Sequence, residues 1–143
     1  MESLIALARR AAAKGEVPIA AAIIAGDGTL IATAHNRVER RQDATAHAEL
    51  LALRKAMKVR GSKYLQDCIL MVTLEPCAMC AQAASLAKVK KIIYGAHDPK
   101  GGGIEHGARV FQQPTCHHAP EVVGGVMEKE CGTLLSEFFR EKR

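Results

Sequence analysis

A chain of 143 residues with 48% hydrophobic and 24% charged content can bury one core, which excludes a disordered or fibrous polymer. Its longest apolar stretch, residues 17–25, contains Pro18 and is too short to span a bilayer, so we expect no membrane partner. The five cysteines are odd in number, no cationic leader with an apolar core is apparent, and the net charge of +5 is modest; we therefore expect one domain over residues 1–143, working in the reducing cytoplasm without a disulfide framework.

Residues 2–14 read as an amphipathic helix through Leu4, Ile5, Ala8, Ala11 and Ala12, closed by Gly15. Residues 17–25 and 29–35 flank the turn signal Gly26-Asp27-Gly28 and predict a β-hairpin. A helix over 46–58 follows, with Leu50, Leu53, Ala56 and Met57 as its apolar stripe and Asp43 or Thr45 as its cap. A buried strand over 68–73 then leads into a helix from Cys77 to about Ala87 and a strand over 91–95. Residues 96–103, with Asp98-Pro99 and three consecutive glycines, predict an irregular loop leaving a strand end, where substrate is commonly bound. A short strand at Val122-Val123 and a helix from about Met127 onward complete the series. Such alternation predicts parallel strands covered by helices.

His47-Ala48-Glu49, answered downstream by Pro76-Cys77-Ala78-Met79-Cys80, carries the chemistry. A catalytic zinc ion keeps three protein ligands and one open position, whereas a structural one fills all four. His47, Cys77 and Cys80 supply the three, and Glu49 is left over as a general acid and base. Cys77 and Cys80, three apart, share the first turn of a helix opening at Pro76, where free N–H groups and the dipole favour thiolate. His47 and Glu49 are two apart and can share a target only near a helix start, so the metal is expected above two helix N-termini. Two other readings fit part of the pattern. A redox Cys-x-x-Cys pair leaves His47 and Glu49 unexplained, and a structural zinc site needs a fourth ligand from Cys68, Cys116, Cys131, His117 or His118.

Basic residues gather at Arg37, Arg40 and Arg41; at Arg54, Lys55, Lys58, Arg60 and Lys63; at Lys88, Lys90 and Lys91; and at Arg140, Lys142 and Arg143. Helices carry Lys and Arg outward, so each group reads first as a solvated face. The group at Arg37 is the exception, because it precedes the metal-bearing helix and forms a rim that draws a polyanion.

The H-x-E and P-C-x-x-C pair resembles the cytidine deaminase superfamily. With Glu16-Val17-Pro18, Thr45-Ala46, Thr73-Leu74-Glu75, Tyr94-Gly95-Ala96 and Phe138-Phe139-Arg140, the chain looks like the bacterial tRNA-specific adenosine deaminases within it. The resemblance implies a three-layer α/β/α fold with a five-stranded mixed sheet and helices on both faces, one zinc ion per subunit, and a homodimer acting on a tRNA anticodon stem-loop. It also implies hydrolytic deamination of wobble adenosine to inosine by zinc-activated hydroxide. In the same way Asn36 is expected to hydrogen-bond the flipped purine and its ribose, Ala48 to line the substrate site, Asp98 to lie near the 2′-hydroxyl of the preceding nucleotide, and Phe138 to lie near the anticodon loop. Read without the resemblance, Asn36 and Asp98 are turn residues and Phe138 is a core anchor. Ala20 stands where the family has glycine, which predicts a tightened pocket, and His117-His118-Ala119 replaces a more typical Asn-His-Arg. A free-base or nucleotide deaminase for guanine or cytosine is the alternative enzyme. A zinc-stabilised RNA-binding module leaves Glu49 idle.

Overall fold

The computed structural model describes residues 1–143. Its centre is one five-stranded sheet in the order β2-β1-β3-β4-β5, from β1 (Ala20–Ile24), β2 (Leu30–His35), β3 (Ile69–Leu74), β4 (Lys91–Ala96) and β5 (Glu121–Val123). β1 pairs antiparallel with β2 and with β3, while β3–β4 and β4–β5 are parallel. The expectation of parallel strands therefore holds for half the sheet. The hairpin makes the other half antiparallel, its tight return using Gly28 at φ +91°, a region that favours glycine.

Alternation along the strands divides the core into two layers. Ala21, Ile23, Leu70, Val72, Ile92 and Tyr94 pack toward α3 (Ala48–Arg60) and α4 (Ala78–Leu86). Ala20, Ala22, Met71 and Ala96 pack toward α1 (Glu2–Ala13) and α5 (Glu128–Glu141). The result is the three-layer arrangement with helices on both faces. Truncating a fully buried side chain such as Leu70 to Ala leaves a cavity and costs about 3 kcal/mol. No helix is long and apolar enough to cross a membrane.

β1 begins at Ala20, later than residue 17, because Pro18 has no N–H for a ladder and the Ile19 N–H is spent on the Val17 carbonyl at 2.8 Å. α3 begins at Ala48, two residues later than expected, and neither Asp43 nor Thr45 caps it. Asp43 Oδ1 instead accepts the Thr45 N–H at 2.9 Å and the Thr45 hydroxyl at 2.7 Å, closing a turn. Its buried stripe runs through Leu51, Ala52, Leu53 and Ala56, with Leu50 and Met57 only half-buried. The short helix α2 (Val38–Arg41) has no signal in the apolar pattern. It is held from outside, since the buried Glu16 carboxylate accepts the Glu39 and Arg40 N–H groups at 3.0 and 2.8 Å.

Candidate active site

His47 and Cys77 occupy equivalent places: each is the extended residue that starts a helix, at φ −75°, ψ 148° before α3 and φ −69°, ψ 174° before α4. The helix starts meet. His47 Nδ1 lies 3.5 Å from Cys77 Sγ and 3.6 Å from Cys80 Sγ, and the three donor atoms all lie within 4.8 Å of one another. Ligands at 2.0–2.3 Å from a tetrahedral centre stand about 3.5 Å apart, so two thiols and an imidazole at this spacing suit zinc. His47 lies outside the helix and Glu49 in its first turn, which removes the difficulty of a spacing of two.

The four side chains shape one another's protonation. The Cys80 thiol, hydrogen-bonded to Cys77, is the main influence bringing Cys77 down to about 4, with His47 adding to it. The same pairing, followed by burial, pushes the Cys80 thiol up, and the bond to Cys77 raises His47. Burial pushes Glu49 up to about 7. Glu49 is 4% exposed, and its Oε2 has no hydrogen-bond partner. A buried oxygen left unpaired costs roughly 1–3 kcal/mol, a strain that a substrate or water in the site relieves.

Asn36 is buried at the end of β2, and its Oδ1 accepts the Ala48 N–H at 2.9 Å. Its amide NH₂ makes no hydrogen bond within the chain and is the group left for a ligand. Ala48 itself is fully buried, with its N–H already taken by Asn36. Asp98 Oδ1 accepts the Lys100 and Gly101 N–H groups at 3.2 and 3.0 Å, so it does form a turn. It also lines a groove of about 350 Å³ with Leu74, Ala96, Ser136 and Phe139. Phe138 is not brought there. It packs with Leu134 in a separate cleft beside Ala12 and Gly15, under the Lys142 ammonium, whereas its neighbour Phe139 is 48% exposed.

Glu75 is the organising residue that the motif reading misses. Fully buried before Pro76, its carboxylate accepts the N–H groups of Asp98, Ile104, Glu105 and His106 at 3.0–3.2 Å and His106 Nδ1 at 2.7 Å. Burial opposes its ionisation, but these donors outweigh it and hold the carboxyl below its ordinary range. Glu75 thereby pins the loop after β4 to the start of α4. Gly102 and Gly103 allow the approach, since a methyl group on either would strike the Glu75 carboxylate or the Ala78 backbone. The sequence signal was available in an acid between a buried strand and Pro-Cys, followed downstream by three glycines. Glu75, His97 and His106 also form a cluster of donors, but the 2.7 Å contact is a hydrogen bond shorter than the separation of two ligands on one ion.

The two unusual positions lie away from the donors. Ala20 packs with Leu4, Ile5 and Ala8 in the α1–α5 layer, so its methyl group does not tighten the site, contrary to expectation. His118 donates to the Val89 carbonyl at 2.7 Å and its own carbonyl accepts the Ser85 hydroxyl, fixing residues 116–118 at the far end of α4 from Cys77.

Comparison with known proteins gives the same frame. Residues 1–96 match the family model for the cytidine and deoxycytidylate deaminase zinc-binding region. A tRNA-specific adenosine deaminase from Agrobacterium fabrum (strain C58) is 49% identical over 143 residues, covering 100% of this chain and 93% of that protein. A solved structure from studies of A-to-I editing by tRNA:A34 deaminases at the wobble position of transfer RNA superposes with a TM-score of 0.91 at 47% identity, covering 94% of this chain and 97% of that one. Guanine deaminase from Bacillus subtilis is more distant, with a TM-score of 0.62 at 31% identity over 96% of this chain and 88% of its own. The chain belongs to the cytidine and deoxycytidylate deaminase family and carries its zinc-binding region.

Proposed function

We propose that this chain hydrolyses the 6-amino group of adenosine at the wobble position of a tRNA anticodon, releasing inosine and ammonia, with one zinc ion per subunit held by His47, Cys77 and Cys80. The observation that carries the chemistry is Glu49 Oε2, buried and unpaired beside three soft donors. When bound, zinc supplies the Lewis acidity that makes water nucleophilic near neutral pH. Glu49 takes a proton from that water and passes it to the departing nitrogen as the bond to carbon six breaks; a carboxyl brought up to about 7 by burial suits both directions of transfer. The Asn36 amide NH₂ holds the base, and α3's first turn stays fixed because Asn36 Oδ1 grips it. Ala48 forms part of the pocket wall through its backbone.

The choice of substrate is supported by the stronger similarity to tRNA-specific deaminases than to guanine deaminase. In this reading Asp98 meets a ribose 2′-hydroxyl, a contact that selects RNA, and its position lining a groove with Phe139 supports the assignment. Phe138 steadies α5 for the anticodon loop, with Phe139 as the exposed ring. A homodimer working in the cytoplasm, built of one deaminase domain over residues 1–143, completes the reading. The test is incubation of the zinc-loaded protein with tRNA transcripts carrying a wobble adenosine, then sequencing for inosine read as guanosine. Unedited transcripts alongside ammonia release from guanine or cytosine establish the free-base alternative.

A further inference from the structure

Two basic clusters well separated in the sequence share one cleft. Arg37 and Arg41, at the two ends of α2, and Arg54, Lys55 and Lys58, on α3, line a cavity of about 240 Å³ together with Ala34 and Leu51. Leu51, Arg54, Lys55 and Lys58 are spaced i, i+3, i+4 and i+7, so α3 presents them on one face. Glu16, bonded to the first N–H groups of α2, holds the opposite wall in place. The Lys55 ammonium donates to the Thr33 carbonyl of the edge strand at 2.9 Å, which tethers that side chain to β2.

None of these five cations forms an ion pair. The ion pairs of the chain involve Arg60, Lys91, His97 and His106 instead. The acids nearest in sequence to Arg41 are Glu39 and Asp43; neither is ion-paired to it, and the Asp43 carboxylate accepts from Thr45, with Arg54 and Arg41 close enough only to help lower its pKa. Five like charges with no ion pair among them and one acid at longer range repel one another, and a bound anion relieves that repulsion. Guanidinium groups take phosphate through paired hydrogen bonds and lysines take it as point charges. The rest of the lining is Ala34 and Leu51, which offer nothing to read a base or a sugar.

We propose that this cleft binds phosphodiester groups of the RNA substrate, outside the pocket that holds the edited base. The inference rests on the RNA-substrate reading above. A cleft with charge but no other polar recognition suits a repeating backbone, which positions a nucleic acid without reading its sequence. The cleft is also joined directly to the chemistry: Arg37 follows Asn36, and its N–H donates to the Ala46 carbonyl at 3.0 Å, next to His47. A strand held here is registered against the donor site by one short segment.

The test compares the zinc-loaded protein with the triple variant R54Q/K55Q/K58Q, whose positions touch neither the donors nor Glu49. A control, R9Q/R10Q/K14Q, removes equal charge from exposed positions at α1 and Lys14, which lie on the other face of the sheet. Affinity for a tRNA anticodon stem-loop is measured between about 50 and 200 mM salt. The cleft variant is expected to bind about tenfold more weakly and to lose roughly two units of the log–log salt slope, with KM raised and kcat kept. The control stays near wild type. Unchanged affinity and slope in the cleft variant, or an equal loss in the control, overturns the proposal. If the triple variant fails to fold, R54Q and K58Q singly decide it, each expected to lose about one unit of slope. A wild-type protein that edits no tRNA sinks the functional reading, while the binding comparison still decides the cleft: a loss confined to the cleft variant supports it, and no loss refutes it.

Discussion

The side-chain oxygen of Asn36 accepts the backbone N–H of Ala48 at 2.9 Å, tying the end of β2 to the first turn of the helix that carries Glu49. The same side chain therefore has two separable jobs, one for each end of its amide. Asn36→Ala leaves a buried N–H unpaired and should cost about 1–2 kcal/mol, lowering Tm by roughly 3–8 °C. Asn36→Asp keeps the acceptor and should melt close to wild type, yet lose activity through the missing NH₂ donor. Equal melting temperatures for wild type and Asn36→Ala in calorimetry contradict the structural job.

Glu75 makes a second prediction, about order. Its carboxylate accepts four backbone N–H groups between Asp98 and His106, so Glu75→Ala strands all of them at once. We expect a loss of at least about 3 kcal/mol in urea unfolding, because buried donors left unpaired add up. Hydrogen exchange should accelerate at Asp98, Ile104, Glu105 and His106 well before it does in β3. Continued protection of those amides in the variant is the contrary result.

Glu49 predicts opposite signs for stability and activity. Glu49→Gln should keep zinc by elemental analysis while kcat falls by about 10² or more, since a positioned acid–base group contributes on that scale. In the metal-free chain the carboxyl is raised from 4.5 to about 7 by burial. A raised acid means the folded chain binds the proton more tightly, so its contribution is present below pH 4.5 and is lost as pH rises through 7. The metal-free Gln variant lacks that loss and should be the more stable protein at pH 8, with the gap closing toward pH 4. A wild type that gains on the variant as pH rises refutes the assignment.

A sheet covered by helices and the convergence of His47, Cys77 and Cys80 were legible because each rests on local pattern: an apolar run in 69–74, helical period in 48–60, and a spacing of three at Cys77. The mixed sheet with helices on both faces was legible only through the resemblance. What escaped was set by partners distant in the chain. α2 forms because Glu16, 23 residues earlier, caps it. The start of α3 slipped because Asp43 and Thr45 bond to each other, which their identities permit as readily as capping. Glu75 entered only as part of the resembling segment Thr73-Leu74-Glu75, and its role appears only when a loop some thirty residues later folds onto it. Phe138 and Phe139 are chemically equal in the sequence, and only the rotation of α5 decides that Phe138 is packed and Phe139 is exposed. The merging of Arg37 and Arg41 with Arg54, Lys55 and Lys58 is likewise a property of the tertiary placement that brings α2 and α3 to one cleft.

Cys77 offers the most direct check on the donor set, because its neighbours act on it before any metal is present. The hydrogen bond with Cys80, aided by His47, brings its thiol down to about 4, so in the metal-free chain Cys77 is a thiolate at neutral pH and half-buried. Cys68 is pushed up to about 11 by burial, and burial likewise raises the enclosed Cys131. Iodoacetamide added after chelation should therefore alkylate Cys77 ahead of Cys68, Cys80 and Cys131, as read by peptide mass spectrometry. Zinc restored before the reagent should protect Cys77, since coordination takes the lone pair that attacks. Cys77→Ala should fail to retain zinc and should lose the stability that metal binding adds. Alkylation of Cys77 at the same rate with and without zinc removes it from the ligand set, and with it the placement of the metal over the starts of α3 and α4.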